Sequence, residues 1–149
     1  MIRRVQTGGP GRSSSGALSP LPSTPSFPPA RLDELLAPRD GCRWQVLCGD
    51  EGHWRAGLYA PPETGLDEIT ELERHDCPEL FILLRGQLTL VLSAPQDPRG
   101  VRELPLEPGR PVLVQAPHSG YCPEGPHSGV AFVIERDAFE TEYRSIEEW

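Results

Sequence analysis

The sequence predicts an all-β, single-domain protein built as a small barrel of short strands. Eighteen prolines and fifteen glycines in 149 residues leave little room for long helices and demand many turns. Between the turns lie short runs of aliphatic and β-branched residues, such as 87–92 (QLTLVL) and 129–135 (GVAFVIE). A chain of this length holds one domain and one core.

Residues 1–30 are mostly Pro, Ser, Gly and Thr, which cannot bury enough apolar surface to offset the entropy of ordering, so a disordered N-terminal leader is expected there. Residues 31–149 form the folded domain, with short helices expected at both ends. The first is RLDELL at 31–36, stopped by Pro38. Residues 43–47 and 53–59 read as a hairpin around the Gly49-Asp50-Glu51-Gly52 turn. In 68–75, Ile69, Glu71, Glu73 and His75 share one strand face, and Thr70, Leu72 and Arg74 share the other. The apolar run 80–84 and its expected partner 87–92 flank a turn signal at Arg85-Gly86. Further strands are expected at 101–106, 112–114 and 129–135. In the tail, the spacing of Phe139, Tyr143, Ile146 and Trp149 is close to helical.

Charge and composition exclude several function classes. A net charge of −8 and a pI near 5.0 oppose binding to nucleic acid or to an anionic membrane. All fourteen basic residues are arginines, and without lysine there is no Schiff base, pyridoxal-phosphate anchor or P-loop. Cys42, Cys48, Cys77 and Cys122 form no CxxC pair, which argues against a structural zinc site. No apolar run approaches the ~20 residues of a membrane span. Nothing signals secretion, so reduced thiols and a cytoplasmic location are expected. A Gly-x-Ser-x-Gly elbow is absent, which disfavours a hydrolytic nucleophile.

The chemistry concentrates in ELERHDCPELFILLRG at 71–86. His75 and Glu79 sit at the mouth of what reads as a β-hairpin, which is how a small barrel presents metal ligands to its interior. Glu73 has three readings: a further ligand, an acceptor that orients His75, or a solvated carboxylate. Glu135 ends a strand that should line the barrel, as a base or substrate acceptor, or as an ion-pair partner of Arg102 or Arg136. His53 and His127 read as exposed or structural. Cys77 and Cys122 read as small buried hydrophobes. Trp44, Trp54 and Tyr59 read as filling the core or a subunit interface.

His75-x3-Glu79, six residues and then Gly86 resembles the first motif of the cupin superfamily, with Glu73 where that motif has its first His. Gly109, the strand at 112–114 and Ala116-Pro117-His118 resemble the second motif. Within the superfamily, PELFILLRG, Leu106-Glu107-Pro108-Gly109, Pro117-His118-Ser119 and Val133-Ile134-Glu135-Arg136 are similar to the 3-hydroxyanthranilate 3,4-dioxygenase family. The resemblance implies a cupin-type β-barrel (jelly roll) with ferrous iron on His75, Glu79 and His118. In that family arginines clamp the substrate carboxylate four residues before the first ligand His and four after the last. This chain has Glu71 and Cys122 there.

Two imidazoles and one carboxylate leave open positions for a substrate and O2, as in non-heme iron oxygenases, and also suit Mn, Ni or Zn. The expected function is therefore that of a small-molecule metalloprotein of mononuclear dioxygenase-like type, with Fe(II) the leading ion. Two other readings stand beside it. One is a non-catalytic cupin that binds a small ligand or stabilises a dimer. The other is a metal-dependent sugar isomerase or epimerase with Glu135 or Glu73 as general base. A homodimer is expected, since apolar strands outnumber what a small barrel needs inside.

Overall fold

The computed structural model describes residues 40–149 together with the backbone of Arg3–Thr7. Among the described residues eleven strands form two sheets whose named strands all pair antiparallel. The strands are β1 (Arg3–Thr7), β2 (Trp44–Asp50), β3 (Trp54–Tyr59), β4 (Glu71–His75), β5 (Glu79–Arg85), β6 (Thr89–Ser93), β7 (Val101–Pro105), β8 (Val112–Val114), β9 (His118–Tyr121), β10 (Val130–Arg136) and β11 (Phe139–Ser145). One sheet runs β1-β11-β4-β9-β6-β7 and the other β2-β3-β10-β5-β8. Among the described residues, no helix is long and apolar enough to cross a membrane.

Period-two alternation builds the space between the sheets. Phe81 and Leu83 of β5 and Ala131 and Val133 of β10 meet Leu90 and Leu92 of β6, all at most 5% exposed. At roughly 1.5–3 kcal/mol for each fully buried large apolar side chain, this layer is the main source of stability. A second cluster lies outside the six-stranded sheet, where Leu72, Val91 and Val101 are covered by Ile146 and Trp149. Leu72 thus faces away from its neighbours Glu73 and His75, as the alternation requires.

Several expectations are corrected. The runs 80–84 and 87–92 are not hairpin partners: β5 pairs with β10 and β8, whereas β6 pairs with β7 and β9 in the other sheet. Both runs are rich in strand-forming residues and flank a turn signal, so composition gave no sign that the chain changes sheets between them. Gly86 makes the crossing at φ +64°, and a Cβ there would collide with the Ser128 carbonyl. The tail is a strand, followed by one 3-10 turn at Ile146–Glu148, and not a helix. Phe139, Thr141 and Tyr143 alternate at period two along β11, a pattern the four-residue step from Phe139 to Tyr143 also satisfies. Ile69 precedes β4 and packs beside Leu72 instead of sharing the Glu73 face.

The first hairpin forms as expected, with a bulge between Val46 and Cys48. Strand β9 was not anticipated. Within the expected leader, Arg3–Thr7 pairs with β11. The rest of that leader and the helix expected at 31–36 lie outside the described residues.

Candidate metal centre

Strand register decides which side chains meet inside. On the six-stranded sheet Tyr143, Glu73 and His118 lie directly opposite one another across β11, β4 and β9. Thr141 lies opposite His75. On the facing sheet Arg55 of β3 is opposite Glu135 of β10, and Ile134 opposite Leu80 places Glu135 beside Glu79 of β5. Polar positions from six strands therefore converge between the sheets.

They line a cavity of about 210 Å³ walled by Trp44, Tyr59, Phe81 and Phe139. It adjoins a second cavity of about 280 Å³ that reaches Glu63, Glu68 and Glu71, with Arg43, Glu73, His118 and Tyr143 bordering both. Glu79 Oε2 lies 3.0 Å from His118 Nε2 and 3.4 Å from His75 Nε2. Glu79, His118 and Glu135 are 6%, 3% and 5% exposed, so these contacts are shielded from water. The rings are fixed from behind. His118 Nδ1–H donates to the Ala116 carbonyl at 3.1 Å, and His75 Nδ1 pairs with the Thr141 hydroxyl at 2.8 Å. Phe139 lies 4.5 Å from the His75 ring, and Phe81 meets His118 edge-on at 5.6 Å.

Burial holds the His75 pKa below its usual value although Glu79 and Glu73 pull it up. Burial also opposes the His118 imidazolium, but the hydrogen bond and charge of Glu79 outweigh it and raise that pKa. Glu79 is the reciprocal case, raised by burial and lowered further by His118, with a net fall. Burial and the neighbouring Glu79 charge push Glu135 up to about 7 despite Arg55, whose Nε donates to it at 2.7 Å.

A divalent ion with ligands at about 2.1 Å has donor–donor edges of about 3.0 Å in an octahedron and about 3.4 Å in a tetrahedron. The two contacts of Glu79 match those edges, and the donors are the imidazole and carboxylate types such ions take. Two overlapping trios, Glu73/His75/His118 and His75/Glu79/Glu135, each bring one donor atom per residue to within 4.8 Å of one another.

Of the residues singled out in the sequence, His75, Glu79, His118, Glu73 and Glu135 all come together here. His127 does not: it sits at φ 59° with Nδ1–H donating to the Ala60 carbonyl at 2.6 Å. His53 is an exposed turn residue. Glu135 pairs with Arg55 and not with Arg102 or Arg136, since Arg136 binds Asp76 and Arg102 lies on β7 of the other sheet. Cys77 and Cys122 are buried free thiols, with Cys122 Sγ–H donating to the Gly129 carbonyl at 3.4 Å. Trp44 and Tyr59 wall the cavity, whereas Trp54 is 45% exposed.

Arg43, Arg55, Thr141 and Tyr143 were missed. Arginines do enter the cavity, but from the 43–55 hairpin region and not from the two positions the dioxygenase resemblance pointed to. Arg43 is held by Glu63 at 2.6 Å and lies 3.3 Å from Ser119 Oγ. The signal that would have found Thr141 and Tyr143 is the period-two reading of the tail.

No protein-family model matches the sequence, and no curated protein matches it. Solved structures do. A cupin-2 domain protein from Shewanella frigidimarina is 15% identical over 70% of this chain and 90% of its own, with a TM-score of 0.50. A cupin 2 domain-containing protein from Halorhodospira halophila is 20% identical over 73% of each chain, again at 0.50. Fe(II)-HppE, solved with the alternative substrate (S)-1-HPP, is 16% identical over 74% of this chain at 0.50, and this chain spans 60% of its length. The two facing sheets are those of the cupin fold.

Proposed function

We propose that His75, Glu79 and His118 hold one divalent metal ion, Fe(II) the leading candidate, and that the protein is a dioxygenase-like enzyme acting on a small molecule. The observation that supports this reading is Glu79 Oε2 within 3.4 Å of two imidazole nitrogens whose opposite nitrogens are already engaged. Such an ion supplies open coordination positions for a substrate and O2. Thr141 and the Ala116 carbonyl orient the two imidazoles, so their Nε2 atoms are directed at Glu79 before anything binds. Phe81, Phe139 and Trp44 exclude water, which strengthens every charge interaction inside. Arg55 fixes the Glu135 carboxyl at the cavity wall, within reach of a bound molecule. The cavity of about 210 Å³ limits that molecule to a small one. The cupin fold is shared with HppE, whose structure carries Fe(II).

Glu135 and Glu73, two carboxylates on the cavity wall, support a second reading. A sugar-like substrate could be isomerised or epimerised there with one of them as general base.

The test is metal uptake by the purified protein from Fe, Mn, Ni and Zn salts, followed by oxygen consumption of the loaded protein with small phenols and hydroxy acids. His75→Ala, Glu79→Ala and His118→Ala should lose the ion, while His53→Ala and His127→Ala should keep about one per chain. A wild type that takes up none of the four ions refutes the reading. Metal uptake without oxygen consumption moves the weight to isomerisation or simple binding. The expected homodimer is checked by sedimentation against the 16.4 kDa monomer.

A further inference from the structure

We propose that Glu73 is a fourth ligand to that metal ion and that Tyr143 is the residue that positions it. The inference rests on the reading above and extends it to a two-imidazole, two-carboxylate set.

The lattice of the six-stranded sheet carries the argument. Glu73 and His75 are two residues apart on β4 and point to the same face. His118 lies directly opposite Glu73, so it is only a diagonal neighbour of His75. Glu73 is therefore adjacent to both imidazoles, along its own strand and across to β9. One oxygen of Glu73 and one nitrogen from each histidine already fall within 4.8 Å of one another.

Glu135 is the rival for the fourth position, and its charge is already matched. Arg55 Nε donates to its Oε1 at 2.7 Å. Among the described residues no arginine forms an ion pair with Glu73. Its cross-strand neighbour is Tyr143, which lines the same cavity. Strand β11 treats both β4 donors alike. Thr141 lies opposite His75 and bonds its Nδ1, and Tyr143 lies opposite Glu73 at the equivalent position. The fold thus gives Glu73, like His75, a hydroxyl-bearing residue directly opposite on β11.

Two carboxylates neutralise a divalent ion, and harder ions gain most from such a set. Mn(II) and Fe(II) are favoured relative to Ni(II) and Cu(II), compared with the usual set that has a third histidine here.

The experiment titrates wild type, Glu73→Gln, Glu73→His and Tyr143→Phe with MnCl2 and NiCl2, reading free Mn(II) by its electron-paramagnetic signal and both ions by calorimetry. Glu107→Gln, on an exposed turn, controls for the loss of one negative charge. Glu73→Gln should weaken Mn(II) by more than about 100-fold, beyond the ~10–100-fold typical of an outer hydrogen-bond partner. Glu73→His should raise the Ni(II) to Mn(II) affinity ratio at least about tenfold. Tyr143→Phe should weaken Mn(II) about tenfold in the wild-type background and have no effect in the Glu73→Gln background, a difference a merely structural tyrosine would not give. If Glu73→Gln stays within about threefold of wild type while Glu79→Gln abolishes binding, the fourth-ligand assignment is overturned and the three-ligand reading stands. If wild type binds neither ion, both fall.

Discussion

Replacing Arg55 by Met should destabilise the protein in a way that depends on pH. Arg55 and Glu135 form an ion pair whose side chains are 16% and 3% exposed. Removing one member of such a pair leaves a buried charge without a partner, which costs roughly 3–5 kcal/mol. That cost requires Glu135 to be ionised. With Arg55 present its pKa is already about 7, and without the guanidinium it can only rise. At pH 5 the carboxyl is protonated in both folded forms, so the pair is largely absent from each. What the variant then loses is the stacking of the guanidinium over Trp44 and Phe139, at 5.6 and 4.9 Å, worth about 1–2 kcal/mol together. The penalty should therefore grow by at most about 1.4 kcal/mol between pH 5 and pH 8, the free energy of ionising a carboxyl one pH unit above its wild-type pKa of about 7. Urea unfolding of metal-free wild type, Arg55→Met, Glu135→Gln and the double variant at both pH values measures it. In the double variant the pH 8 penalty should shrink to about its pH 5 size. An equal Arg55→Met penalty at the two pH values, or no recovery in the double variant, would sink the account.

The metal-free protein itself should lose stability as pH rises from 5 to 8. His118 is raised in the fold, so its contribution is complete below about 6.5 and is lost above its folded value. Glu135 holds its proton to about 7 in the fold against 4.5 ordinarily, and that difference removes at most on the order of 3 kcal/mol over the same window. Melting scans with chelator should show the decline, and saturating Mn(II) should flatten it. A melting point that climbs with pH in chelator would contradict the sign. Gly129→Ala should destabilise by more than about 2 kcal/mol, because its Cβ would overlap the Gln87 carbonyl, a backbone atom that cannot step aside. Phe81→Ala should cost about 3–5 kcal/mol and loosen the His118 ring it meets edge-on. Chemical denaturation checks the first part, and histidine ring NMR signals check the second.

How far the site could be read from the sequence follows from what sets each feature. His75, Glu79 and His118 stood out because motif spacing is a property of the chain. Their convergence also needs Glu79 in the opposite sheet from both histidines, which spacing alone does not specify. The crossing at Gly86 was hidden because 80–84 and 87–92 are both strand-like, flank a turn signal and are equally consistent with a hairpin. Arg55 was invisible for a related reason: its role depends on register with Glu135, eighty residues away. Thr141 and Tyr143 were lost when a four-residue step was read as helical, although strands satisfy that step too.

The polar line from Arg55 through Glu135 and Glu79 to the two histidines crosses from one sheet to the other. Aliphatic side chains on facing sheets resist sliding only through shape, and a shear of one residue pair, about 6.8 Å, would exchange one leucine or valine for another at modest penalty. The same shear would strand several buried charges together, at several kcal/mol. The line acts as a key in a smooth slot. It fixes the offset of the two layers, and it makes the centre of the sandwich the part that must be correct before the rest can close.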